Sequence, residues 1–592
     1  MKNNLKKILI WLIGGCWLAV TFAALAAMYN LWWQRERVLY LGKTVTQQRQ
    51  VVFQRAGFSP SLVDKIDSLV EQWPSDSRYK AHGDANTLSY INYLLIPRIP
   101  AEGASYEVIV EGSDISVTGG NRKQPAYEAH VVDTNNFTGL FFSFVILIGW
   151  AILIRRLWRN IPTWPESLAL SCLFLTLLVL PVRFIFQSAS MAFSGAVVVG
   201  IVGWTTMIFK YLQEGNNVDQ RKRIAEFFFA PFSGKRRMEQ IFVALLVGII
   251  FASIFWCFIM SVVVVPDDWD AWAIWGSKAK VLSLGTGPLH DVTKFGHQDY
   301  PLLWPTVWGF SGWLSGGWEE CWSKGWGAIF LFFCVWEIIH IVKEQCRSLT
   351  AGLLAGALFV SIPNVPLLAS WSYAEAPLWL MMTCSLACFL RWQSNSSRGS
   401  AALVGLLAAA AAYTKNEGML FAVLLGVLFF FSQRNWLRTA FIYALTLTIC
   451  CLSWWYWTRI YHGLGTHATV GLHFNTNILQ RAVERIPGAC SAVFKMWRDI
   501  RQWNIVGFGI PLALIGILLG FGYGGRRWLY LLLPVCLLLG YFVIILFHYA
   551  EIYWQIGTAW NRLTTQALPL FIFLLVSMYQ APPRKISNQG IA

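Results

Sequence analysis

The sequence predicts an all-α, polytopic membrane protein with a small α+β domain outside the bilayer. Three observations lead there. Apolar runs of roughly 20 residues recur along the chain, the length a helix needs to cross a bilayer. The segments between them alternate between short stretches rich in Lys and Arg and others with thinner positive charge. One stretch, 31–136, lacks long apolar runs and carries short helical and alternating patterns instead.

Composition agrees with a membrane chain. Of the 592 residues, 56% are hydrophobic and only 13% charged, where an ordinary soluble domain carries about 25% charged residues. The formal net charge of +16 does not point to nucleic acid, because the basic residues gather in short loops between apolar runs and so orient the chain. Most of the 12 cysteines, such as Cys172, Cys384, Cys450 and Cys536, lie inside apolar runs, where cysteine behaves as a small hydrophobe. No CxxC pair with zinc spacing occurs. Cys321 and Cys490 fall in loops expected outside and are candidates for a disulfide.

About fourteen spans are expected: 8–29, 137–154, 165–186, 190–210, 240–265, 326–343, 349–369, 374–391, 400–414, 417–432, 436–457, 504–523, 528–547 and 563–580. The first has a basic start, MKNNLKK. It is long enough to span, and bulky Met28, Tyr29 and Trp32 replace a clean small-residue cleavage site, so residues 1–30 are expected to be an uncleaved anchor. With the N-terminus inside, the inside loops are Arg155–Arg159, Arg221–Arg237, Lys343–Arg347, Arg391–Arg398, Arg434–Arg438, Arg526–Arg527 and Arg584–Lys585. Each is basic, as the positive-inside rule asks. The outside then receives 31–136, 266–325, 370–373, 415–416, 458–503 and 548–562, and the chain divides at 137–239 (further spans and a basic loop), 240–580 (the main membrane core) and 581–592 (a cytoplasmic tail).

Within 31–136, SPSLVDKIDSLVEQW predicts a short capped helix, with Ser59 or Ser61 as the cap. ASYEVIVEGSDISVTGG alternates and ends in Gly-Gly, as a hairpin does. No catalytic motif stands out there, and a structural or acceptor-positioning cap is the expected role. In 458–503, apolar and basic residues at helical spacing around Pro487 and Gly488 predict two amphipathic helices lying on the membrane surface.

Five polar clusters stand at the mouths of the spans, all on the outside. The first is PDDWDAW, with Asp267, Asp268 and Asp270. One acid suffices to cap a helix start; three acids among Trp269, Trp272 and Trp275 exceed that need, and charge at a membrane site tends to be functional. The second is GHQDYP, with His297, Asp299 and Tyr300. The third is YAEAP, with Glu375 opening a span. The fourth is YTKNEG, with Lys415, Asn416 and Glu417 at a tight outside turn, which an ordinary turn and a functional role explain equally well. The fifth is Arg562, opening the last span, where a snorkelling arginine is the ordinary explanation. Carboxylates suit a general base, and Arg and Lys suit a phosphate. Both at headgroup depth suggest chemistry on a lipid phosphate.

These motifs resemble the GT-C superfamily of membrane glycosyltransferases, and most closely its branch of protein O-mannosyltransferases and lipid A aminoarabinose transferases. DDWDAW resembles the acidic motif of that family's first outside loop. HQDYPLL resembles a later stretch of the same loop, YAEAPL a motif of the second outside loop, and Arg562 in NRLTTQALPL the arginine opening the last core helix. The resemblance covers about 240–580 and leaves out 1–235. The family's first motif is usually Asp-Glu before an aromatic, so this chain departs from it in detail. It implies a GT-C-like helical core and a polyprenyl-phosphate sugar donor. The acceptor would be a lipid, glycan or protein, reached with inversion. Asp270 is the expected base, then Asp268, with Glu375 sharing or orienting. Arg562, Lys415, His297, Asp299, Tyr300 and Asp267 would meet substrate and lipid phosphate. No cofactor is implied, and a divalent metal is not adopted, since the later motifs add only Glu375 and Asp299 as ligands. A bacterial inner membrane, with the site facing the periplasm, fits this topology. A transporter or flippase for a polyprenyl-linked sugar is the alternative, although such proteins place charge near the midplane on repeated, broken helices. A scaffold or sensor using 31–136 for recognition is a third.

Overall fold

The computed structural model describes residues 2–31, 34, 37–55, 61–72, 77–83, 85–96, 98–101, 104, 106–111, 114–119, 136–158, 163–214, 237–284, 289–395, 398–432, 436–461, 478–507, 509–510, 528–548 and 551–578. The protein is an all-α membrane-type bundle with one small sheet. Among the described residues, eight helices are long and apolar enough to cross a membrane, and nine if one bent pair counts as a single span. Such helices satisfy every backbone group internally, as a bilayer demands.

After α1 (Lys2–Leu31) come α2 (Val45–Arg55) and α3 (Ser61–Gln72). Then follow β1 (Arg78–His82), α4 (Ala85–Leu95), β2 (Ile99–Pro100), β3 (Tyr106–Glu111) and β4 (Asp114–Gly119). The sheet runs β2-β1-β3-β4. β1 pairs in parallel with β2 and β3, while β3 and β4 are antiparallel with Tyr106 opposite Gly119. Leu62, Ile66, Tyr79, Ile91 and Val108 are buried between sheet and helices.

The bundle begins with α5 (Thr138–Leu157), α6 (Trp164–Phe186), α7 (Ala189–Glu214) and α8 (Arg237–Val263). Thr163 caps α6 by accepting from the Glu166 N–H, with Pro165 in the first turn. α5 and α7 approach so closely that a Cβ on Gly203 would collide with the Gly149 carbonyl, the small-residue contact that membrane helices use to pack backbone on backbone.

The expected outside loop 266–325 contains two helices, α9 (Ser277–Leu284) and α10 (Leu303–Leu314), packed on each other, with α10 also against α5 and α6. Every residue of α10 from Leu303 to Gly312 is buried, so this stretch is part of the core. Next come α11 (Trp326–Cys346), α12 (Leu349–Val360) and α13 (Asn364–Ser370). The expected single span 349–369 is bent by 67° between α12 and α13. Pro363 explains the break, because proline disfavours helical torsions in the residue before it.

α14 (Glu375–Asn395) is the axis of the bundle, enclosed by α6, α11, α15 (Arg398–Thr414) and α20 (Asn561–Met578). Its residues Glu375 to Phe389 are all buried. Between these come α16 (Asn416–Ser432), α17 (Trp436–Trp455), α18 (Ile478–Trp497) and α19 (Trp528–Phe547). α14 and α20 fall outside the eight, and α15 and α16 are short apolar helices.

Two expectations change, and others fall where the structure gives no description. The two amphipathic helices of 458–503 are replaced, among the described residues, by one helix, α18, running through Pro487, and a short helical turn at Ile500–Trp503. Burial of Ala482, Ala489, Val493 and Trp497 on one face holds α18 together despite the lost backbone bond. Cys321 is buried and Cys490 exposed, and neither forms a disulfide. Most of span 504–523, the cap candidate Ser59, and the basic clusters 221–236, 526–527 and 584–585 lie outside the described residues.

Candidate functional site

The aspartate motif begins where α8 ends. The Val265 N–H donates to Gln48 Oε1 at 3.2 Å, and the N–H groups of Ala271 and Trp272 donate to the Asp268 carbonyl. That starts a π-helical turn, Ala271–Gly276, which runs into α9. Asp270 stands at the cap position of this turn, yet its side chain makes no cap bond. The ordinary explanation for an acid there therefore fails.

The three carboxylates turn to three parts of the chain instead. Asp267 pairs with Arg55 of α2 at 3.3 Å. Asp268 accepts from the Tyr373 hydroxyl, just before α14. Asp270 pairs with Arg562, in the first turn of α20. The Arg562 guanidinium lies 4.9 Å from the centre of the Tyr373 ring, a cation–π distance. Asp268, Tyr373, Arg562 and Asp270 thus form one connected group. A second π-helical turn, Ile556–Trp560, runs directly into α20 and so delivers Arg562. Such turns are rare and recur at functional sites.

Beside this group, Lys415 Nζ reaches Glu375 at 2.9 Å and Glu417 at 3.1 Å. The turn holding Lys415 is tight: a Cβ on Gly418 would run into the Ala411 carbonyl. Asn416 donates to Asp299 at 3.0 Å, which ties the fourth motif to the second. His297 stacks on Tyr300 at 4.5 Å, and Tyr300 on Trp275 at 5.4 Å. His297 and Ser372 both adopt left-handed backbone torsions, at φ 48° and 64°. Non-glycine residues held there store strain and cluster at functional sites. The Trp304 indole N–H holds the second of these, donating to the Ser372 carbonyl at 2.8 Å.

All nine residues singled out in the sequence lie among the described residues, and eight of them gather here. Asp270 feels the charges of Arg562, Lys415 and His297, and Arg562 feels Glu375 as well as Asp270. Asp267 faces outward toward Arg55. Among the described residues no three His, Cys, Asp or Glu side chains converge as a metal-ligand set.

The two inner aspartates differ electrostatically. Burial pushes the Asp268 carboxyl above its ordinary value, with Asp270 and Asp267 adding to the rise and Tyr373 and Arg562 opposing it. Burial pushes Asp270 upward too, but the charge and hydrogen bond of Arg562, with Lys415 and His297 behind, outweigh it and hold Asp270 low. His297 is pushed down to about 4, by burial above all, so its charge bears on Asp270 only in the acid range where both titrate.

Sequence reasoning passes over Lys278. It is fully buried in α9, donates to the His297 carbonyl at 2.5 Å, and sits 5.9 Å from the centre of the Tyr300 ring. Burial pushes it down to about 7, with Asp299 opposing. Its only signal in the sequence is a lysine inside the tryptophan-rich WAIWGSKAK.

The chain matches no protein-family model, no curated protein and no solved structure.

Proposed function

We propose that this protein is a membrane glycosyltransferase of the GT-C type, moving a sugar from a polyprenyl-phosphate donor to an acceptor outside the cytoplasm. The acceptor is a glycolipid, a glycan or a protein. The observation that carries this reading is the Asp270–Arg562 pair, bridged through Tyr373 to Asp268. It is partly open: Arg562 and Asp270 are 21% and 19% exposed, while Glu375 and Lys415 behind them are buried. A carboxylate base and a phosphate-binding cation therefore share one reachable place.

The chemistry follows from that pairing. The donor's phosphate competes with Asp270 for Arg562, whose planar fork suits phosphate oxygens. Once Arg562 turns to phosphate, burial is the dominant influence left on Asp270, and its proton affinity rises toward the range a general base needs. Asp270 takes the proton from the acceptor hydroxyl or amine. The acceptor oxygen or nitrogen forms a bond to the anomeric carbon from the face opposite the phosphate. The bond from that carbon to the phosphate oxygen breaks, and its electron pair leaves with the lipid phosphate. Arg562 stabilises that charge. Asp268, paired with Tyr373, holds the acceptor or shares the base role, and Glu375 keeps Lys415 in place. His297, Tyr300 and Asp299 form the neighbouring wall for substrate.

In this reading the chain has about fourteen spans, and the sheet with α2–α4 is a small domain outside the membrane. The site faces the periplasm of a bacterial inner membrane. The basic loops between spans support that orientation.

Sugar transfer from radiolabelled polyprenyl-phosphate donors tests this in membranes holding wild type or Asp270→Asn, with and without chelator. Label should move to a new acceptor in wild type, and Asp270→Asn should lower the rate by about 10²- to 10⁴-fold. Full activity in both Asp270→Asn and Asp268→Asn removes the assignment. Movement of labelled donor across proteoliposomes without transfer replaces it with a transporter.

A further inference from the structure

The outside segment 37–119 has no role in the chemistry above, yet it grips the loop that carries the aspartates. Three arginines of the segment meet three carboxylates of residues 266–325. Arg49 of α2 binds Glu320 through two nitrogens, at 2.8 and 3.2 Å, with both side chains buried. Arg78 of β1 binds Asp291 through two nitrogens, at 2.7 and 3.0 Å. Arg55 of α2 binds Asp267 at 3.3 Å and donates to the Tyr40 hydroxyl at 2.8 Å. Bidentate arginine–carboxylate pairs fix orientation as well as distance.

Further contacts run along the same seam. Gln48, Val52 and Arg55 follow at i, i+4, i+7 on one face of α2; Gln48 accepts from the Val265 N–H immediately before the aspartate motif. The Tyr90 ring packs on Trp272 at 4.5 Å. Tyr93 donates to Glu320 at 2.8 Å, and Lys280 donates to the Tyr93 carbonyl at 3.3 Å. The segment therefore touches the chain just before the motif, at its first acid, within its π-helical turn, on α9 at Lys280, and farther along the loop at Asp291 and Glu320.

Asp267 and Asp268 are adjacent, yet one turns to Arg55 and the other to Tyr373. Fixing the first limits where the second can point. We infer that the segment 37–119 is the positioning element of the aspartate motif, with Arg55 acting through Asp267 to aim Asp268 and Asp270 at Tyr373 and Arg562. The inference rests on the glycosyltransferase reading for what those aspartates do, and on the contacts alone for how they are held. Arg49–Glu320 and Arg78–Asp291 anchor the segment, and Arg55–Asp267 is the handle. That pair sits at the rim, 37% and 22% exposed, so Arg55 can be changed while the buried Arg49–Glu320 pair stays in place.

The test uses full-length protein in phospholipid nanodiscs, as wild type, Arg55→Ala and Arg55→Lys. Hydrogen–deuterium exchange is followed in peptides covering 266–276 and in peptides of α14. Arg55→Ala should raise exchange in 266–276 several-fold and leave α14 unchanged, and Arg55→Lys should return it most of the way. With an active donor, Arg55→Ala should lower kcat about tenfold and leave KM for the donor within about twofold, as loss of aim predicts. Arg55→Lys should recover most of that loss, which a merely destabilised chain would not show. Unchanged exchange in 266–276, or a rise spread equally over α14, overturns the inference. A wild-type protein that transfers no sugar from any donor defeats the functional reading instead, and the exchange result still decides whether the segment holds the motif.

Discussion

Helix α14 carries a charged cluster at each end, and the two are built on different plans. Glu375 and Arg391 stand about 24 Å apart along its axis at 1.5 Å per residue. At the Arg391 end, one guanidinium meets Glu166 of α6 at 2.6 Å, Glu337 of α11 at 2.9 Å and Glu344 of α11 at 2.7 Å. His340 lies 3.0 Å from the same group. Every member is borne by a helix, and Glu166 and Glu337 are fully buried. At the Glu375 end, most members sit on loops and first turns, several cations share several acids, and the Asp270–Arg562 pair is reachable. One cation surrounded by acids on rigid helices ties those helices together. Mixed charges on loops at an open mouth leave groups that a substrate can displace. The difference separates a clamp from a candidate site within one helix.

The sharpest way to break that contrast is at the clamp. Removing one partner from a buried ion cluster strands the others, which costs about 3–5 kcal/mol. Arg391→Ala is expected to lower the melting temperature in detergent steeply and to cut yield, and Arg391→Lys to recover only part, since Lys lacks the three-way fork. Arg391→Ala melting with wild type would show that the cluster ties nothing together. The matching change at the other end should do the reverse. Arg562→Ala is expected to lower transfer by about 10²- to 10³-fold, the cost of losing a charge-stabilising group, while melting moves little. A large melting shift with proportionate activity loss would make Arg562 a second clamp.

The same contrast shows what a sequence reveals and what it hides. Asp268, Asp270, Glu375 and Arg562 are legible because each stands at the end of an apolar run, where a charge needs a reason. Their partners are not legible, because Tyr373 with Asp268 and Arg562 with Asp270 meet across more than a hundred residues. The clamp is hidden for another cause: Arg391 is counted among orienting basic residues, and a count says nothing of contacts. Glu166 and Glu337 carry the missing signal, being carboxylates inside expected spans. The helices of the bundle are readable from apolar length, but length reads straight through Pro363, where the chain bends. At Pro487 the opposite error arises, because packing on one face of α18 overrides a local breaker. The grip of 37–119 on the aspartate loop has no signature in either segment alone.

The smallest effect tests whether the site's wall tolerates a buried charge. Lys278 is held at about 7, against an ordinary 10.5, because burial disfavours its ammonium form. Asp299 opposes that shift, and the His297 carbonyl and the Tyr300 ring are its near contacts. Between those two values the unfolded chain binds a proton at Lys278 that the folded chain does not, so stability rises with pH. Below about 7 both states are protonated and the folded state bears the full penalty of the buried charge. Lys278→Met removes that penalty along with one hydrogen bond. The variant should therefore gain on wild type most at about pH 6, and the gap should narrow by about 3 kcal/mol at about pH 9. Melting of both proteins at the two pH values measures it. A gap that stays constant would mean that Lys278 keeps its proton throughout, and the wall would then carry a permanent positive charge beside His297 and Tyr300.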